Sequence, residues 1–309
     1  MYIYAKVRVF SYSMLAFLVP LVVRFVPEVL AWPYPIGFDT LIYADVILRR
    51  TYLTLGIAGV FQSSSLFYLI ATAANGLFGD PLLTLKVSGP VLFSLLCGSL
   101  YVYSVKALRW SPWKALMVSF LAGTYFVSLR VSWEMYRQML GLIFLMVGLT
   151  ALRLPSAKWR LPLVAVSGFL AVWSHELAAV LFFVVMAARF IVERERRLKG
   201  FVVLMAAPAL ALFLYQLYNP AVGSIIVPSE RVSAASSIDL AAFISGFLVY
   251  AFVPLIPLAV LGAFSFREVD VLSWLMACLF FTYWPVFLPE FSMLWWFRWA
   301  LLLVYPIVF

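Results

Sequence analysis

The chain of 309 residues is 66% hydrophobic and only 11% charged, with a mean hydropathy of +1.06. Soluble domains are about half apolar and a quarter charged, so a soluble enzyme, a disordered chain and a disulfide scaffold are all excluded. The net charge of +9 calls for no nucleic-acid partner, because membrane proteins gather Lys and Arg in their cytoplasmic loops.

Cys97 and Cys278 both lie inside apolar runs, and no CxxC, HExxH, GxGxxG or Walker-type loop occurs. The composition predicts an all-α, polytopic helical bundle in the cell membrane, with 1–309 as one transmembrane domain. Its chemistry must come from the few polar residues that interrupt the apolar runs.

In chain order, Lys6 and Arg8 precede a first span, 9–27, that reads as a signal anchor because no small-residue cleavage site follows. A long loop from 28 to 86 comes next. Within it 40–50 reads as a helix, and 52–78 is uncharged. Further spans are expected at 87–105, 115–129, 139–153, 161–174, 176–192, 201–218, 241–265, 271–288 and 299–309, each near the length needed to cross about 30 Å of hydrocarbon. The last is short, and the sequence reads as stopping inside an apolar segment, as a truncated chain or a half-span would.

Charge decides how 52–78 is treated. As a non-crossing interfacial or re-entrant helical pair, broken near Gln62-Ser63-Ser64-Ser65 and closed by Gly79-Asp80-Pro81, it leaves 14 of the 22 basic residues on the side of the amino terminus. That side is then cytoplasmic. Glu193, Glu195, Glu268 and Asp270 share it, and the other nine acids fall outside. The stretch 161–192 is about 48 Å as one helix, too long for one crossing. A hairpin at Ser174-His175-Glu176 keeps both flanking basic loops inside. About ten crossings follow.

The outer face collects the polar residues of interest. Asp39, in Gly37-Phe38-Asp39-Thr40, is placed either to cap helix 40–50 or to act chemically. Asp45 stands four residues before Arg49 and pairs with it in a helix. The second external turn, Ser128 to Gln138, sets Arg130, Glu134, Arg137 and Gln138 on one helical face. Two guanidiniums around one carboxylate suit either an ion-paired cap or bidentate phosphate capture. His175, the only histidine, sits with Glu176 at an embedded turn, where ionisable residues are costly and default to functional candidates. The last external turn joins Glu290 and Arg298 to Trp295, Trp296 and Trp299, an interfacial belt or the lining of a lipid or sugar groove.

This layout resembles the GT-C class of membrane glycosyltransferases, which includes oligosaccharyltransferase catalytic subunits and protein O-mannosyltransferases. The resemblance is carried by Gly37-Phe38-Asp39-Thr40 with Tyr43 after the first span, by Leu77-Phe78-Gly79-Asp80, by Arg130 with Glu134 two spans later, by the segment around His175, and by Phe297-Arg298-Trp299 running to Pro306. It implies transfer of a sugar from a polyprenyl-phosphate carrier to an acceptor at the external face. Asp39 would be the catalytic base, and Arg130, Glu134, Arg137, His175, Glu176 and Arg298 would bind substrate and phosphate. The family's paired acids in the second loop have no counterpart here, so a divalent metal is left open. A lipid or small-solute transporter and a non-catalytic membrane subunit are the competing classes.

Overall fold

The computed structural model describes residues 2–218, 237–265, 268–288 and 296–309, and among them it is all helix with no strand. In chain order the helices are α1 (Tyr2–Leu30), α2 (Thr40–Arg49), α3 (Ile57–Val60), α4 (Ser65–Phe78), α5 (Pro81–Lys106), α6 (Pro112–Thr124), α7 (Phe126–Glu134) and α8 (Tyr136–Leu152). They continue with α9 (Ala157–Ser174), α10 (Glu176–Val192), α11 (Arg196–Tyr218), α12 (Ser237–Phe252), α13 (Ile256–Ser265), α14 (Val269–Phe287), α15 (Trp296–Leu302) and α16 (Val304–Ile307). Four of the described helices are long and apolar enough to cross a membrane, or up to six if each bent pair counts as one span. The apolar helices fit a membrane protein.

Two expected straight spans are broken. The 115–129 span is α6 and α7, bent by 62° at Tyr125, and 241–265 is α12 and α13, bent by 88°. The expected external turn from Ser128 to Gln138 is not a turn: Ser128 to Glu134 is helical, and the chain breaks only at Met135 before α8. The 299–309 segment is likewise interrupted, at Leu303 between α15 and α16.

The break at His175 is a hairpin, and the packing of small residues reveals it. A Cβ on Gly168 would stand 2.3 Å from the ring tip of Phe182. Residues 168 and 182 flank His175 symmetrically and would be about 21 Å apart along one helix, so α9 and α10 must fold back on each other. Gly141 of α8 packs on both, its would-be Cβ lying 2.5 Å from Ala178 Cβ of α10 and 3.4 Å from Ser174 Cβ of α9. Small residues allow such approach where apolar surface alone gives helices no reason to associate in lipid.

Buried polar groups mark two ends of the bundle. At one, Asp270 of α14 meets Arg189 of α10, Arg153 after α8 and Tyr103 of α5. At the other, Lys86 of α5 meets Glu28 of α1, and Arg137 of α8 lies over Tyr43 of α2. From Lys86 to Tyr103, Arg137 to Arg153 and Glu176 to Arg189, the three helices advance about 26, 24 and 20 Å between these ends. Those lengths fall somewhat short of the roughly 30 Å of a bilayer core.

The segment 50–80 stays at the Asp39 end. A short 3₁₀ turn, Thr51–Leu53, and α3 lead to α4, whose first residue Ser65 accepts a 2.8 Å bond from Trp173 Nε1. At its far end Gly79 adopts φ 72°, a left-handed C-cap that favours glycine. Asp80 then caps α5 by accepting from Leu82 N–H at 2.9 Å.

Candidate functional site

Asp39 does not cap α2. Its backbone is already helical, and its side chain makes no capping bond. The carboxylate turns instead toward Arg298 of α15, Oδ2 to Nη2 at 3.5 Å, with 27% of the side chain exposed. A carboxylate left partly accessible, with one long contact to a guanidinium, keeps its oxygens open to a further hydrogen-bond donor.

The loop that carries Asp39 is fixed from two sides. On one, Gly37 packs so tightly on α7 that a Cβ would fall 2.0 Å from the Trp133 carbonyl oxygen, and its φ of 116° is one that side chains rarely adopt. Phe38 N–H donates to Glu134 Oε1 at 3.3 Å, and the Tyr43 hydroxyl donates to the Glu134 carbonyl at 2.6 Å. On the other side, Glu28 Oε2 accepts from Ile36 N–H at 3.3 Å, and Lys86 donates to the Tyr34 carbonyl at 2.6 Å. Glu28 also pairs with Arg24 at 2.7 Å, and Arg24, Glu28 and Lys86 are all but completely buried.

The expected phosphate face divides in two at Met135. Arg130 and Glu134, both on α7, form an i,i+4 ion pair with the arginine 42% exposed. Arg137 and Gln138 belong to α8 and do not share that face. Glu134 therefore holds the Asp39 loop and Arg130 rather than bridging two arginines. Arg137 lies over the rings of Tyr43 and Tyr68, its guanidinium carbon 5.4 and 5.9 Å from their centroids. No carboxylate of the described residues stands within ion-pairing distance of it.

His175 and Glu176 join the same cluster. His175 Nδ1 accepts from Leu177 N–H at 3.1 Å, capping α10, so a proton on the neutral ring sits on Nε2, 3.3 Å from Glu176 Oε1. Glu176 Oε2 accepts from Ser63 at 2.6 Å. Burial pushes the imidazole down to about 3; Glu176 opposes this, and Arg137 and Arg298 add to it. Burial also raises the Tyr43 phenol above its ordinary value, with Arg137 acting against the shift. Mutual fields thus link Asp39, Arg137, His175, Glu176 and Arg298, which are brought together from α2, α8, the α9–α10 turn and α15.

Beside this cluster lies a cavity of about 270 Å³ lined by Val46, Thr51, Tyr52, Gln62, Ser63 and Tyr68 among others. Ser63 also touches Glu176, and Tyr68 also touches Arg137. Its walls supply hydroxyls, an amide and two aromatic rings.

The donor set does not fit a divalent ion. Asp39 faces a guanidinium, and among the described residues no group of three His, Cys, Asp or Glu side chains is placed to hold one. Of the three tryptophans in the last expected turn, Trp299 lies in the core against Phe281 at 4.6 Å, neither belt nor groove. Trp296 packs on Phe243 and Phe247. Trp295 and Glu290 lie outside the described residues.

The sequence reading passed over Arg24 and Lys86, which anchor the Asp39 loop. Arg24 is four residues before Glu28 inside an apolar run, and that intramembrane pairing signal could have found it. The chain matches no family model, no curated protein and no solved structure.

Proposed function

We propose that the chain is an inverting membrane glycosyltransferase of the GT-C type, moving a sugar from a polyprenyl-phosphate carrier to an acceptor at the external face. The carrying observation is the convergence of Asp39, Arg137 and Arg298 from three distant parts of the sequence, with Arg137 against Tyr68 in the wall of a polar cavity. In this reading the bundle crosses about ten times, the amino terminus is cytoplasmic and the Asp39 end is outside. The separation of basic and acidic loops supports that orientation. Trp32, Tyr34 and Phe38, strongly exposed at that end, suit a membrane interface.

Arg137 and Arg298 hold the phosphate of the carrier, and the cavity at Ser63 and Tyr68 receives the sugar or acceptor. Asp39 accepts the proton of the acceptor hydroxyl as its oxygen attacks the anomeric carbon. The bond from that carbon to the phosphate oxygen breaks, and the polyprenyl phosphate leaves with the bonding pair. One displacement without a covalent intermediate inverts the sugar carbon. The polyprenyl tail follows an apolar groove of about 460 Å³ between α1 and α5, lined by Val22, Val26, Val87 and Val91 among others.

A transporter would carry its ionisable groups near the bilayer midplane at broken helices. The ionic clusters described above gather at the two ends, which favours the transferase. The test is incubation of the purified protein in liposomes with labelled polyprenyl-phosphate hexoses. Release of polyprenyl phosphate that is abolished in Asp39→Asn is expected. Release that is equal in the two proteins would remove the reading.

A further inference from the structure

We infer that a second lipid site, at the Asp270 end, holds an acyl chain of an anionic phospholipid whose headgroup sits on Lys114. An apolar cavity of about 510 Å³ opens between α6, the bent pair α12–α13, α14 and α16, with Leu121, Leu255, Ala259, Gly262, Leu275 and Phe309 among its walls. It is distinct from the α1–α5 groove, which has no wall residue in common with it.

Three observations choose the occupant. Lys114 lies 3.6 Å above the ring of Trp110, and that ring packs on Phe309 of the cavity wall at 6.1 Å. Lys114 is also seven residues before Leu121 on α6, so the two share a helix face with about 20° of drift. The cation is thus about 10 Å from the wall residue toward the Asp270 end. Lys106 and Arg109, both exposed, stand on the same connection between α5 and α6. An apolar slot with Lys114, Lys106 and Arg109 toward its rim fits an acyl chain below an anionic headgroup. Each such cation near a membrane surface favours acidic lipid by roughly fivefold. A polyprenyl carrier whose phosphate is held by Arg137 has its headgroup at the opposite end of the bundle.

Gly262 gives a clean variant, because it lines the cavity and a Cβ there meets nothing within 4 Å. Delipidated protein is mixed with tritiated dioleoyl phosphatidylglycerol or dioleoyl phosphatidylcholine and passed through gel filtration. Preferential retention of the phosphatidylglycerol is expected. Gly262→Phe should abolish retention at unchanged thermal stability, and Ala259→Leu should reduce it if the first variant folds poorly. Lys114→Gln should lower the preference roughly fivefold while neutral lipid retention stays the same. Equal retention of the two lipids by the unaltered protein overturns the inference, as does full retention in both cavity variants. Displacement of phosphatidylglycerol by undecaprenyl phosphate at equal concentration also overturns it, assigning the cavity to the carrier tail. None of these outcomes depends on transferase activity.

Discussion

Asp270 and Asp39 are the same residue in opposite circumstances. Asp270 is fully buried, and its two oxygens are taken by Arg189 and joined by Tyr103 at 3.3 Å and Arg153 at 3.5 Å. Arg153 in turn pairs with Glu268. Asp39 keeps a single contact with Arg298, itself at 3.5 Å, and stays partly open. A buried carboxylate whose lone pairs are all engaged can fasten helices and do little else. One held by its backbone, with its oxygens barely engaged, is left open to a further partner. The contrast sets a fastened carboxylate at one end of the bundle against an open one at the other, and on the transferase reading proposed above the open one is the reactive one.

The strongest way to break this contrast is Asp39→Asn. Because Asp39 caps nothing, the amide should cost almost no stability, and carrier affinity should hardly change. Transfer should fall by about 10²–10⁴-fold, the usual contribution of a general base. Asp270→Ala should do the reverse. Removing one partner of a buried charge cluster costs about 3–5 kcal/mol, visible as a lower Tm in detergent, while turnover per folded molecule is retained. Equal behaviour of the two variants in either assay would dissolve the distinction between the ends.

The arginines sharpen it further. Arg137→Ala should weaken binding of a polyprenyl-phosphate donor by roughly 10–100-fold, the equivalent of losing a charged hydrogen bond. Arg137→Lys should restore only part of it, because the bidentate fork is lost. Arg130→Ala removes an exposed i,i+4 pair, worth under about 1 kcal/mol, and should leave donor affinity within about twofold. Isothermal titration with both variants decides whether the site lies on α8 or, as the one-face reading of the sequence had it, on α7 as well.

The hairpin at His175, the breaks near Ser63 and the Asp45–Arg49 pair could all be read from the sequence, because length limits, turn residues and i,i+4 spacing are local rules. The kink at Tyr125 could not, whereas the one between α12 and α13 falls at Pro254, a local breaker that the straight 241–265 reading passed over. Tyr125 has no turn signature, and its hydroxyl donates to the Ala251 carbonyl across the bundle, a contact set by tertiary packing. The break at Met135 was hidden for the same reason, so Arg137 was placed on the wrong face. Trp299 looked interfacial by its neighbours in sequence, yet it is a core residue because Phe281 arrives from α14. Arg24 was taken as part of an apolar span although its partner Glu28 stands four residues on along the same helix, because the Lys86 that completes the cluster comes from α5.

A change of slope rather than of size is expected at His175, where the two ends meet in one measurement. Its imidazole is buried and held neutral, facing Glu176 on its own turn and Arg137 and Arg298 from α8 and α15. With a native pKa of about 3 against about 6.5 when unfolded, the unfolded chain binds the extra proton between those values. Stability contributed by the neutral ring is therefore complete above about pH 6.5 and lost as pH falls toward 3. At pH 5 part of that stability should already be gone. His175→Gln, which keeps a capping acceptor but cannot titrate, should show a shallower fall in Tm between pH 7 and pH 5 than the unaltered protein. Asp270→Ala, which leaves the imidazole in place, should be less stable throughout. Parallel Tm curves for His175→Gln and the unaltered protein would mean that the imidazole is hydrated or charged in the native state, and that the outer cluster is more open than its packing implies.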